Sequence, residues 1–301
     1  MAYLMNLKPL RLKKLENKLT DIAPAKINLY LHITGKRKDG YHELDSLVVF
    51  PEIGDNISIE KADGIELSSH GPFSDFLPST SENIVVKAAK WLKALANVKV
   101  GAKITLCKNL PVASGIGGGS SDAATVISLL RRFWNVSLDQ NKLMNLALSL
   151  GADIPVCLKR QSSYIGGVGE VLISPPTIPA FWLVLVNPGI PIETAKVFSS
   201  HLPKFSPISR FNKPPKDVKS LAVLLSERQN DLENSAISLF PEIAEALNSL
   251  ANIPNILISR MSGSGATCFG LFGDPSSAKL AEQLLKKEHP AWWIKKTRLI
   301  P

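Results

Sequence analysis

From Pro111 onward the chain reads Pro111-Val112-Ala113-Ser114-Gly115-Ile116-Gly117-Gly118-Gly119-Ser120-Ser121-Asp122-Ala123-Ala124, with four glycines and three serines between Ser114 and Ser121. Directly behind them Ala123, Val126, Ile127, Leu130 and Trp134 recur at helical spacing and give that helix one apolar face. A glycine-rich turn that feeds a helix N-terminus aims several free backbone N–H groups at one spot. The helix dipole adds partial positive charge there, and the combination suits a phosphate. Glycine lets the backbone approach phosphate oxygens because it has no Cβ and accepts positive φ. A plainer reading is a tight loop with a serine N-cap at Ser120 or Ser121. The density of glycine ahead of an apolar-faced helix favours the anion site.

Two common phosphate loops do not fit. No lysine follows the glycines, as the G-x-x-x-x-G-K-[ST] loop requires. Gly115-x-Gly117-x-x is completed by Ser120, where the dinucleotide fingerprint has glycine. A second glycine loop, Met261-Ser262-Gly263-Ser264-Gly265-Ala266, lies far downstream. Asp153, in Gly151-Ala152-Asp153-Ile154-Pro155, falls just past an expected helix end. By itself it reads as a turn or N-cap aspartate. Lys26 by itself reads as a surface lysine on a strand.

The elements that must position these groups follow from periodicity. Ala23 to Ile33 alternates and reads as one strand, with Leu29, Leu31 and Ile33 on one face. Lys38-Asp39-Gly40-Tyr41-His42 is a turn, and Leu44–Phe50 and Asn56–Glu60 are further strands of an expected antiparallel sheet. Residues 70–82 are a loop. Ile84, Ala88, Trp91, Leu92 and Leu95 mark a helix capped by Ser81 or Asn83, and Lys103–Cys107 is a strand leading into the glycine loop. Ser137-Leu138-Asp139-Gln140 reads as a capping box for a helix that Gly151 stops. Tyr164–Ile173 is hairpin-like, 174–179 is a proline-rich candidate boundary, and Phe181–Asn187 is an apolar strand. Residues 203–219, proline-rich and basic, read as an exposed connection. Helices are expected over 218–228, 231–251 and 275–288, with a strand over Thr267–Phe272.

With 301 residues and 45% hydrophobic composition the chain supports one large or two ordinary domains. No apolar run approaches the ~20 residues of a membrane span, so no membrane partner is expected. The formal net charge of +9 favours anionic partners without separating nucleic acid from a nucleotide. Cys107, Cys157 and Cys268 are far apart, lack metal-ligand spacing, and read as reduced thiols of a cytoplasmic protein. Residues 1–20 are a basic extension with no signal-peptide core, in which Leu12, Leu15 and Leu19 would line a short helix.

Several stretches occur together and in order. They are Pro24-Ala25-Lys26-Ile27-Asn28-Leu29, Asp39-Gly40-Tyr41-His42, the loop at 111–124 and Gly151-Ala152-Asp153-Ile154-Pro155. Asn187-Pro188-Gly189 with Thr194 and Phe198, Gln229-Asn230-Asp231-Leu232-Glu233, and Met261 through Gly270 complete the set. From about residue 21 to its end the chain resembles the 4-diphosphocytidyl-2-C-methyl-D-erythritol kinases. These belong to the superfamily of galactokinase and of the homoserine, mevalonate and phosphomevalonate kinases. The glycine loops alone specify only the superfamily; the Lys26–Asn28, Asp39–His42 and Gly151–Pro155 stretches narrow it.

The resemblance implies a two-domain α+β small-metabolite kinase fold with the active site in the interdomain cleft. Residues 21–172 would be the nucleotide-binding domain and 173–301 the substrate-side domain. It implies ATP as phosphoryl donor, Mg²⁺ with ligands unassigned, and a small-molecule substrate carrying cytidine diphosphate. The 2-hydroxyl of that substrate would be phosphorylated on the non-mevalonate route to isopentenyl diphosphate. Asp153 would be the base, and Lys26 its partner and a draw on the substrate oxygen. Pro111, Val112, Ala113, Ser114, Gly115, Ile116, Gly117, Gly118, Gly119, Ser120 and Ser121 would wrap the triphosphate. Asn28, Tyr41, His42, Thr194, Phe198, Gly263, Ser264 and Gly265 would meet the substrate, with Tyr41 and Phe198 on the two faces of the cytosine. Asp122 is expected to point away from the phosphates or to act through Mg²⁺. A sister kinase for another small alcohol is the nearest alternative, although a substrate without a base has no use for Tyr41, His42 and Phe198. A nucleic-acid-binding module lacks aromatics interleaved with basic residues, and a serine hydrolase lacks the G-x-S-x-G elbow.

Overall fold

The computed structural model describes residues 18–202 and 204–299. In chain order the first half runs β1 (Lys18–Pro24), β2 (Ile27–Lys36), β3 (His42–Val49), β4 (Gly54–Ala62), β5 (Ile65–His70), α1 (Ile84–Leu95), β6 (Gly101–Cys107), α2 (Gly118–Phe133), α3 (Gln140–Leu150), α4 (Ile154–Lys159), β7 (Ser163–Gly167) and β8 (Val171–Ile173). The second half runs β9 (Phe181–Asn187), α5 (Thr194–Ser199), α6 (Val218–Ser226), α7 (Glu233–Leu239), α8 (Glu242–Ala251), β10 (Ile258–Met261), β11 (Cys268–Phe272), α9 (Pro275–Glu288) and β12 (Trp293–Leu299). This α+β chain forms three four-stranded sheets, ordered β1-β4-β6-β5, β2-β3-β7-β8 and β10-β11-β9-β12. Pairing is antiparallel except between β5 and β6. Among the described residues no helix is long and apolar enough to cross a membrane.

The first sheet is backed by α1, α2 and α4 around Ile57, Ile59, Ile104, Val126, Ile127 and Leu130. The third is backed by α8 and α9 around Val184, Val186, Leu250 and Leu285. Between them Ile27, Leu29, Leu47 and Val49 of the second sheet pack on Leu183, Leu185, Phe269 and Leu271 of the third. Each such buried side chain contributes roughly 1.5–3 kcal/mol. One continuous apolar contact therefore joins the halves of the molecule and fixes the walls of the cleft that both line.

Several expectations change. Lys18–Thr20 are not part of an extension: they open β1, paired to β4, and Leu19 enters the core. Leu12 and Leu15 lie outside the described residues. The strand expected from Ala23 to Ile33 is two strands in different sheets, broken at Ala25–Lys26. β5, β10 and β12 carry too little apolar alternation to be read as strands. The helix expected over 231–251 breaks at Phe240, because Pro241 disfavours a helical residue before it. Asp139, not Ser137, caps α3. Helix α2 begins at Gly118 inside the glycine run with Gly117 as N-cap, so Ser120 and Ser121 sit in its first turn.

The connection after α5 is not a loose linker. Ser206 N–H donates to Ile33 O (2.9 Å), and the Ser209 amide and Arg210 Nε each donate to the buried Asp45 carboxylate (2.9 and 2.6 Å). Phe211 N–H donates to the Tyr164 hydroxyl. The stretch is a strap across β2 and β3. Proline and lysine content concealed this, because its anchor Asp45 lies more than 150 residues away in sequence.

Candidate active site

The phosphate loop runs between β6 and α2. Positive φ at Ala113, Gly115 and Gly117 folds it back on itself. The N–H groups of Ser114 through Ser120 donate to no other group among the described residues, whereas Ser121 N–H is spent on Gly117 O at 2.9 Å. Seven successive free donors, the last three being orphans of a helix N-terminus, make an anion cradle without any lysine.

The cradle opens on a cleft of about 900 Å³. Lys26 and Asp153, 127 residues apart, meet on its wall: Lys26 Nζ lies 2.8 Å from Asp153 Oδ2. Lys26 is 6% exposed and Asp153 39%, so the ammonium is sheltered while the carboxylate reaches the open space. The Lys26 stem runs against Gly117, where a Cβ would stand 3.1 Å from Lys26 Cβ, and Lys26 N–H donates to Ile116 O. The pair thus sits directly beside the cradle. Asp153 occupies the N-cap position of α4, yet its side chain makes no capping bond. Its carboxylate is turned to Lys26 instead of to its own helix.

Asn28, also on the wall, donates from Nδ2 to Ser46 Oγ (2.7 Å), while its buried Oδ1 has no partner. Farther along, the His42 ring packs on Phe198 at 5.4 Å between centroids, and Tyr41 is 65% exposed at the rim. Burial, with help from Lys36 and His201, lowers the His42 pKa and so keeps its ring neutral, with one donor and one acceptor nitrogen. Thr194 Oγ1 and Ser264 Oγ are 2.9 Å apart and both line the cleft.

Of the site residues expected from sequence, Lys26, Asn28, Tyr41, His42, Asp153, Thr194, Phe198, Gly263 and Ser264 line this one cleft. So do Pro111, Val112, Ala113, Ser114, Gly115, Gly117, Gly118, Gly119 and Ser120. Three do not. The Ile116 side chain enters the apolar core, Ser121 is buried in the helix turn, and Gly265 packs behind the cradle on Gly115. That contact is close enough for a test. A Cβ on Gly115 would lie 2.5 Å from Ser262 O and 2.6 Å from Gly265 O, at a φ of +75°. Gly115→Ala is expected to cost about 1–3 kcal/mol of stability and to weaken nucleotide binding, read by thermal melting and nucleotide titration.

Sequence reasoning missed the cleft's far end, where Leu77, Pro78 and Ile84 form an apolar wall beside Gly119. It also missed Lys108. This buried lysine reaches under the cradle, with Nζ 2.5 Å from Asp55 Oδ2 and 2.7 Å from Asp122 Oδ2. Asp122 therefore neither points into solvent nor stands free: Lys108 offsets its charge beneath the phosphate site. The one available signal was Lys108 itself, three residues ahead of Pro111, which nothing in the sequence marks as buried.

Family models place the GHMP kinases N terminal domain over residues 83–161 and the GHMP kinases C terminal domain over 210–291. The chain is 48% identical over 278 residues to the 4-diphosphocytidyl-2-C-methyl-D-erythritol kinase of Paramagnetospirillum magneticum, covering 92% of this chain and 97% of the relative. The chain belongs to the 4-diphosphocytidyl-2-C-methyl-D-erythritol kinase family. The Rhodospirillum rubrum member is 43% identical, with 93% and 92% covered. A crystal structure of a 4-(cytidine 5'-diphospho)-2C-methyl-D-erythritol kinase superposes with a TM-score of 0.76 at 31% identity, covering 94% of this chain and all of that one. A homoserine kinase from Cytophaga hutchinsonii superposes with a TM-score of 0.72 at 14% identity, which speaks for the fold alone. As a member of this GHMP kinase family the protein is an ATP-dependent phosphotransferase.

Proposed function

We propose that the enzyme transfers the γ-phosphoryl group of ATP to the 2-hydroxyl of 4-diphosphocytidyl-2-C-methyl-D-erythritol, on the non-mevalonate route to isopentenyl diphosphate. The observation that carries this is the Lys26–Asp153 pair on the rim of a lysine-free amide cradle, 2.8 Å from N to O. In this reading the free N–H groups of Ser114–Ser120 hold the triphosphate, and its base end lies toward Leu77, Pro78 and Ile84. The substrate hydroxyl sits between Asp153 and Lys26. As the new O–P bond forms and the bond to the ADP oxygen breaks, the hydroxyl proton passes to Asp153. The Lys26 ammonium stabilises negative charge on the transferring group. Phosphoryl transfer depends chiefly on positioning and charge stabilisation, so a weakly basic carboxylate suffices.

Among the described residues no group of three or more His, Cys, Asp or Glu side chains is arranged to hold a metal ion. That fits Mg²⁺, which takes one or two protein oxygens and otherwise phosphate oxygens and water. The Ser120 hydroxyl, on the cleft wall beside the cradle, is the hard oxygen that would hold it. Bound there, the ion would offset charge on the phosphates.

In the same reading His42, when neutral, would offer a donor and an acceptor to a pyrimidine edge, and exposed Tyr41 would fold over a base laid on Phe198. Stacking on an aromatic contributes roughly 1–3 kcal/mol per base. Tyr41→Ala is therefore expected to raise KM for the cytidylated alcohol about 5- to 150-fold with KM for ATP little changed. The reading as a whole is tested by coupled ADP release with the cytidylated methylerythritol. Turnover inhibited by cytidine nucleotides supports it. Turnover only of an alcohol lacking the base would make the protein a sister kinase.

A further inference from the structure

Four successive carbonyls of the phosphate loop are tied to three other stretches of chain, two of them to the second glycine loop. Ala113 O accepts from Ile192 N–H (3.0 Å), Ser114 O from Thr267 N–H (3.1 Å), Gly115 O from Ser262 Oγ (3.2 Å) and Ile116 O from Lys26 N–H (2.8 Å). In a trans peptide the N–H that follows points opposite to the carbonyl. The four ties therefore turn the amides of Ser114 through Gly117 away from the protein. Three of the ties are backbone donors that no substitution short of proline removes. The fourth is a side-chain hydroxyl.

That hydroxyl has a second contact. Ser262 Oγ accepts the N–H of Asn28 at 3.1 Å, so one atom joins the phosphate loop to the start of β2, two residues beyond Lys26. Ser262 is fully buried and is not on the cleft wall, so it touches neither ligand. Its place is set from several sides. Ser262 N–H donates to Thr267 O and Gly265 N–H to Ser262 O, while Asn230 Nδ2 donates to both flanking carbonyls, Met261 O and Gly263 O. Asn28 N–H takes the lone pair of the hydroxyl and Gly115 O takes its proton, so either contact orients the group for the other.

We infer that Ser262 is a positioning residue that sets the register between the nucleotide cradle and the Lys26–Asn28 segment through the paired hydrogen bonds to Gly115 O and Asn28 N–H. The inference rests on the phosphoryl-transfer reading above. A cradle free to shift against β2 would still bind nucleotide, but it would present the γ-phosphoryl group out of line with the hydroxyl held at Lys26 and Asp153. Misplacement on the scale of one ångström costs rate much more than affinity.

Wild type, Ser262→Ala and Ser262→Thr are titrated with a non-hydrolysable ATP analogue and assayed for ADP release with the cytidylated alcohol. Ser262→Ala is expected to weaken analogue binding about fivefold, the worth of one hydrogen bond. It is expected to lower kcat about tenfold or more. Ser262→Thr keeps the hydroxyl and recovers most of both. An alanine variant with wild-type affinity and kcat overturns the inference. So does one whose only change is a lower Tm with kcat per folded molecule intact, since that is a merely structural role. The titration needs no phosphoryl acceptor. If the wild type fails to turn over the cytidylated alcohol, the substrate reading falls, and the analogue affinities still decide the role of Ser262.

Discussion

Asp153→Asn is expected to lower kcat by about 10²–10⁴-fold, with the KM of the alcohol nearly unchanged. The amide has the shape of the carboxylate but cannot collect the hydroxyl proton. The fold has little stake in the charge, because Asp153 does not cap α4 and its side chain is partly open to solvent. The loss should therefore appear in kcat and not in the melting temperature. Coupled ADP release at saturating ATP measures it, and titration of the alcohol against an inert ATP analogue separates binding from chemistry. The partner variant Lys26→Met is expected to cost a comparable factor, and the double variant little more than either alone. Groups that act as one unit on one proton and one developing charge are not additive. Full activity in Asp153→Asn would remove the residue from the mechanism.

Lys108→Met is expected to destabilise the protein by about 3–5 kcal/mol, the usual consequence of deleting one partner of a buried ion pair. For a chain of this size that lowers the melting temperature on the order of 10 °C. The reason is the imbalance left behind. Asp55 is fully buried and satisfied as an anion, since Oδ1 accepts from the amides of Asn109 (2.5 Å) and Leu110 (2.8 Å) while Oδ2 meets Lys108. Asp122 has Lys108 on Oδ2 and nothing on Oδ1. Without the ammonium, two carboxylates would share a dry space beneath a site built to receive phosphate.

The same asymmetry has a pH signature. Burial pushes the Asp122 carboxyl up to about 7 from an ordinary 3.8, against the pull of Lys108. A raised folded-state value means that the native protein keeps a proton the unfolded chain has lost. The contribution of this group to stability is complete below about pH 4 and disappears as pH rises through about 7. Asp122→Asn removes that titration. The melting temperature of wild type minus that of Asp122→Asn should fall between about pH 4 and pH 7 and level off above. A difference that does not change with pH would show that Asp122 stays ionised throughout.

Composition and order of motifs carried much of this protein. The glycine run before an apolar-faced helix announced an anion site, because the requirement there is local: positive φ, no Cβ, and a helix start. The Lys26, Tyr41–His42 and Asp153 stretches stood out only through their resemblance to a kinase family, because each residue by itself passes for an ordinary turn or surface group. Strands that are apolar almost throughout, such as β9, were legible, and those at sheet edges with mixed polarity, such as β5 and β12, were not.

Tertiary structure alone decided the rest. Whether Asp153 caps a helix or faces a lysine depends on a partner 127 residues away. The strap over β2 and β3 looks like a linker until Asp45 of β3 is placed beneath it. Lys108 looks like any lysine until the second turn of α2 and the start of β4 bring two carboxylates to it. Residue type and spacing prescribe what a short segment can do with its own backbone. Pairings between buried charges, and hydroxyls that tie one segment to another, have no period in the sequence, and exist only once the apolar core has brought distant strands together.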